Sequence, residues 1–156
     1  MQHNYDLSLI YAGDETGVWL DSVSSVSVDV RGSKEVAVRS TGHERMRITV
    51  LLMARANGSK LKPLVVLPRI RPIAGLNSDK KISIVYGGKT SWMDEDKCLS
   101  FVKTNIGRDI FGRPMLLIWD SFRPHYSNAV KHECKQLGIE LAIIPGTILI
   151  ILILLN

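Results

Sequence analysis

The chain has 156 residues, 46% of them hydrophobic, enough for one domain with a real core and too few for two. Twenty Lys and Arg against fifteen Asp and Glu leave a formal charge of +5, which suits a polyanionic partner, either nucleic acid or an anionic membrane surface. Two distant cysteines, Cys98 and Cys134, argue against a disulfide framework or zinc knuckle, and Met1-Gln2-His3-Asn4-Tyr5-Asp6 lacks the features of a secretory leader, so an intracellular protein is expected.

Tyr5, Leu7, Leu9 and Tyr11 alternate with polar residues and predict a strand with one face better buried. It runs into Gly13-Asp14-Glu15-Thr16-Gly17, where the glycines suggest a turn that places Asp14 at the strand end. Residues 17–43 read as loop with patches of strand such as Val26, Val28 and Val30, and carry no evident function. Gly42-His43-Glu44-Arg45-Met46-Arg47 leads into an apolar run, Ile48 to Ala54, expected as a central strand; the His43-Glu44 pair reads as exposed. Asn57-Gly58 then signals a hairpin, with a return strand from Lys60 to Pro68. Pro63 cannot donate to a ladder, so this strand either lies at an edge or begins to pair after the proline.

Ile82 to Tyr86 is a further short strand. The Gly87-Gly88-Lys89-Thr90 string that follows is not a phosphate loop, because the pattern needs a glycine where Ser83 stands. Ser91 with Asp94 resembles a capping box, and Cys98 or Leu99, Val102 and Ile106 predict a helix over about Trp92 to Asn105. Met115-Leu116-Leu117-Ile118-Trp119 reads as a strand buried on both faces that stops at Asp120. Ligands of open α/β sheets collect beyond the carboxyl ends of strands, and carboxylates there suit hard cations, although an aspartate also caps turns for purely local reasons. Ser127 and Gly138 bracket a second helix, and Ile139 to Ile144 is a last strand ended by Pro145-Gly146. The order predicts an α/β domain with a mixed sheet flanked by helices.

The final stretch, Thr147 to Asn156, is apolar, aperiodic and uncharged. A helical membrane span needs about 20 residues, so no span is expected. Residues 1–146 are therefore read as the domain and 147–156 as a tail of unrelated composition.

Four separated motifs carry a resemblance: Gly13-Asp14-Glu15-Thr16-Gly17-Val18-Trp19-Leu20-Asp21, Thr41 to Arg47, Tyr86 to Met93, and Trp119-Asp120-Ser121-Phe122-Arg123-Pro124-His125. In this order they resemble the DDE-superfamily endonuclease domain of pogo and Tigger-like transposases. The resemblance implies a ribonuclease-H-like fold, here truncated at its C-terminal side. It also implies a nuclear location and a site of three carboxylates holding two Mg²⁺ ions for phosphodiester chemistry. Asp14 matches the first catalytic and metal-binding position and Asp120 the second, while Glu15 and Asp21 read as surface-turn residues. The third carboxylate of the family follows the last strand, and Thr147 to Leu155 contains no acid.

A transposase-derived domain that binds nucleic acid weakly and does not cut it is the expectation. Arg45, Arg47, Lys89, Arg123, His125 and Lys131 are its candidate DNA contacts, Mg²⁺ binding is weakened or lost, and no small-molecule substrate is expected. The alternatives are a Mg²⁺-dependent endonuclease in which Glu44 or Glu140 replaces the missing acid, and a non-enzymatic interaction module.

Overall fold

In the computed structural model residues 4–20, 31–32, 46–76 and 80–145 are described. Expectations that fall on Val26 to Val30, on Thr41 to Arg45 with His43, Glu44 and Arg45, and on the apolar stretch from Thr147 lie outside these residues.

The first strand differs most from expectation. Leu7–Leu9 is a 3-10 turn, capped by Asp6 accepting from the Ser8 amide, and β1 spans Ile10–Trp19. It therefore runs straight through the residues expected to turn. The cause is its partner: β2 (Arg47–Arg55) pairs antiparallel with β1 from Tyr11 opposite Arg55 to Trp19 opposite Arg47. The glycines serve this pairing rather than a turn. A Cβ at Gly13 would strike the Leu52 carbonyl oxygen and Met53, and one at Gly17 would strike the Arg47 side chain.

The hairpin after β2 forms where expected. Gly58 adopts φ 85°, its amide donates to the Arg55 carbonyl at 2.9 Å, and an isolated bridge joins Ala54 to Lys60. Pairing of the return strand β3 (Leu64–Leu67) starts directly after Pro63, so the missing N–H disrupts nothing. β3 is interior to the sheet, with β4 (Ser83–Tyr86) parallel on its far side. β5 (Met115–Asp120) runs parallel to β1, and β6 (Ile139–Ile144) parallel to β5, giving the order β4-β3-β2-β1-β5-β6.

Among the described residues two α-helices pack on this sheet. α1 (Glu95–Phe101) continues as a π-helical turn over Val102–Ile106 and stops at Gly107, φ 66°. Its cap is Asp94, which accepts from the Lys97 amide at 3.0 Å. Ser91, expected in that role, instead donates its hydroxyl to the Arg47 carbonyl at 2.8 Å. α2 (Asn128–Leu137) is bracketed as its sequence suggests, by the Ser127 hydroxyl and by Gly138 in the left-handed conformation. Cys98, Phe101 and Val102 from the first helix and its continuation, and Val130 and Cys134 from α2, share one core cluster with Met115, Leu117 and Trp119 of β5. Leu116, Ile118 and Asp120 alternate with them and are only partly buried, so β5 is buried on one face rather than both.

Candidate active site at the strand ends

β1 and β5 lie side by side and parallel, Tyr11 level with Leu117 and Ala12 with Ile118. Continuing that register two residues brings Asp14, midway along β1, level with Asp120 at the carboxyl end of β5, so the two acids predicted from separate motifs come together. Each pulls on its own local backbone: Asp14 Oδ1 accepts from the Glu15 amide at 2.8 Å, and Asp120 Oδ1 from the Phe122 amide at 3.1 Å. Among the described residues neither Oδ2 takes a hydrogen bond, which leaves that oxygen of each aspartate for another partner. Burial raises the Asp14 carboxyl above its ordinary range, and the charges of Glu15 and Asp120 add to this against the pull of the Glu15 amide and His125.

His125 closes the cluster. Its Nδ1 donates to Asp120 Oδ1 at 2.5 Å and its Nε2 donates to Glu15 Oε1 at 2.9 Å. A carboxylate oxygen is an acceptor, so the two contacts call for hydrogen on each ring nitrogen. Burial works against the charged ring, yet the hydrogen bond and charge of Glu15, with those of Asp120, leave the imidazole raised above its ordinary value. The ring is fully buried, stacked on Trp119 at 4.0 Å and 7° and met edge-on by Phe122 at 5.3 Å. His125 was expected as a DNA contact; it is instead buried and joins Asp120 to Glu15.

Glu15 is the residue that sequence reasoning missed. Tyr11 and Gly13 are buried, and two-residue alternation carries Glu15 to the same face of β1, toward the helices. The signal was present, but it is hidden when Gly13 to Gly17 is read as a turn. Glu140, considered as a replacement ligand, lies at the wrong end of β6. It pairs with Leu116, whereas Ile144 is opposite Asp120, about 13 Å further along at 3.3 Å per residue. Tyr5 donates its hydroxyl to Glu140 there. Among the described residues no group of three or more His, Cys, Asp or Glu is placed to hold a metal ion.

Of the predicted basic contacts, Arg47, Lys89, Arg123 and Lys131 belong to elements at the same end of the sheet. Arg47 begins β2 opposite the end of β1, with its guanidinium 5.5 Å from the centre of the Trp92 ring. Lys89 follows β4, and Arg123 opens the 3-10 turn after β5; both are exposed. Lys131 lies in the first turns of α2 over the Tyr126 ring. A cleft of about 160 Å³ beside the cluster is lined by Glu15, Arg47, Thr49, Trp92, Asp120 and Phe122, among others. A second, of about 410 Å³, is lined by Arg123, Tyr126, Ser127 and Lys131 with Glu95.

Residues 45–155 match the family model described as DDE superfamily endonuclease. The chain belongs to this family. Among its relatives are the human and mouse proteins named "Pogo transposable element with KRAB domain", each 31% identical over 148 residues. That alignment covers 92% of this chain but 24% of either relative, so the chain spans about a quarter of their length. The fold of this DDE domain is similar to that in the crystal structure of the Mos1 strand transfer complex, with a TM-score of 0.51 at 12% identity, covering 86% of this chain and 34% of that one. The domain is thus a transposase-derived DDE endonuclease domain with a ribonuclease-H-like α/β sheet. Among the described residues no helix is long and apolar enough to cross a membrane.

Proposed function

We propose that these 156 residues form a nuclear DNA-binding domain that retains two of the three carboxylates of its family and does not cleave DNA on its own. The observation that carries this reading is the parallel pairing of β1 with β5, whose register continued by two residues sets Asp14 beside Asp120, near the basic side chains Arg47, Lys89, Arg123 and Lys131. The basic rim supplies the sequence-independent attraction to phosphates, and the backbone lies along that rim.

The donor set fits one hard cation and not two. Asp14 and Asp120 offer carboxylate oxygens whose Oδ2 takes no hydrogen bond among the described residues, and a Mg²⁺ ion accepts one or two carboxylates when waters complete its shell. No third acid among the described residues joins them, since Glu15 is committed to His125. When bound, such an ion supplies charge neutralisation at a phosphodiester; a pair would be needed to stabilise both the attacking and the leaving oxygen. The chain's own part is narrower: Asp120 is oriented by His125 and the Phe122 amide, and the arginines and lysines hold the phosphates.

Fluorescence anisotropy with a labelled duplex tests the reading. Binding should weaken as salt rises, and Arg123→Ala with Lys131→Ala should each lower the slope of log affinity against log salt by about 1. Binding that is absent at low salt, or that ignores salt, overturns it.

A further inference from the structure

The cleft between the acid cluster and Trp92 has a composition that the binding of a duplex backbone does not explain. Trp92 is 62% exposed and Phe122 37% exposed, two large aromatic side chains at the mouth of one small depression. Neither is loosely hung. The segment carrying Trp92 is tied to β2 by the Ser91 hydroxyl bonded to the Arg47 carbonyl, and the next residue, Met93, is buried. Phe122 is fixed by its amide bond to Asp120 and by its edge-on contact with His125. Arg47 lies across the indole, in space left open by the bare backbone of Gly17.

We propose that this cleft binds an unpaired nucleobase of a single-stranded or locally melted nucleic acid, stacked on Trp92 and Phe122, with Arg47 meeting the adjoining phosphate. The inference rests on the DNA-binding reading above and goes beyond it in naming what enters the cleft. Aromatic faces next to a cation are the platform on which single strands stack, whatever their sequence. The charge pattern sorts base from backbone. Glu15 and Asp120 line the cleft and repel a phosphate, while Glu15 Oε2, the oxygen not bonded to His125, accepts a hydrogen bond from an amino-bearing base edge. Phosphate is left to the rim, where Arg47 stands. Cytosine and adenine, which carry exocyclic amino groups, are preferred over thymine. A base within an intact duplex is stacked on its neighbours and does not reach the platform.

The test is anisotropy with the full chain and labelled oligonucleotides of equal length: homopolymeric dC, dA and dT, an oligonucleotide with abasic sites, and a duplex as reference. The expected result is that dC and dA bind more tightly than dT or the abasic strand. Trp92→Ala should weaken dC binding about 5- to 100-fold, Trp92→Phe should restore most of it, and duplex affinity should change less than about twofold. The high exposure of Trp92 means that these variants keep the fold. Duplex binding that persists while the abasic strand and dC bind alike, or while Trp92→Ala changes nothing, overturns the nucleobase site alone. Loss of both single-strand and duplex binding by equal factors in Trp92→Ala also overturns it. Absence of any binding by the unaltered chain overturns this inference and the DNA-binding reading together.

Discussion

His125 touches Asp120, Glu15, Trp119 and Phe122, and its removal should be a costly change at the site. His125→Ala leaves Glu15 and Asp120 facing each other without their shared donor and opens a space beside Trp119. A loss of about 3 kcal/mol is expected, the scale of breaking a buried ion pair by deleting one partner. An unchanged urea midpoint would show that the ring does not hold the cluster. A second residue-scale prediction concerns acid. Asp109 is held down to about 2 by its hydrogen bonds to the Arg113 side chain and to the Arg113 and Phe111 amides. A carboxyl whose folded value lies below its unfolded 3.8 stabilises the fold above pH 3.8, and that contribution is lost as pH falls toward 2. Urea midpoints of the unaltered chain should therefore drop between pH 5 and pH 2.5 by more than those of Asp109→Asn; equal drops would contradict the assignment. The two cysteines need no special handling. Both thiols are buried and raised by burial, Cys134 to about 11, so alkylation of the folded chain should be slow.

Elements bounded by strong local chemistry are legible in the sequence, and those bounded by pairing are not. Asn57-Gly58, Ser127 and Gly138 each impose one backbone conformation, so the hairpin and α2 fall where expected. Gly13 and Gly17 are ambiguous, because a glycine that permits a turn also permits a close strand approach. Only β2, more than thirty residues away in sequence, decides between them. Gly13→Val should thus cost at least about 1–3 kcal/mol by overpacking against the Leu52 carbonyl and Met53, whereas a turn glycine open to solvent would tolerate the change better if its φ were negative. The same contrast separates the two proposed caps of α1. Asp94→Ala should lower stability by about 1 kcal/mol as an N-cap loss, with lower helicity by circular dichroism. If Ser91→Ala were the more damaging to helicity, the capping assignment would be wrong.

At the scale of the whole molecule, the sheet order does what the separate motifs cannot. Asp14 and Asp120 are 106 positions apart and each reads, alone, as an ordinary turn residue. The parallel pairing of β1 with β5 makes them neighbours, and the antiparallel β2 returns Arg47 to the same end. The two aspartates were therefore legible as candidates from their motifs. The Glu15–His125 link was not, because neither residue carries a local sign of the other across 110 positions. The account stands or falls on whether these two carboxylates, with Glu15 engaged elsewhere, make a cutting site. Supercoiled plasmid incubated with the purified chain and Mg²⁺ or Mn²⁺ gives the most direct answer. The plasmid should remain supercoiled, with no nicked or linear product above a no-protein control. Metal-dependent nicking that disappears in both Asp14→Asn and Asp120→Asn would show that two aspartates suffice here, or that another acid completes the site, and would contradict the reading of a domain that binds DNA without cleaving it.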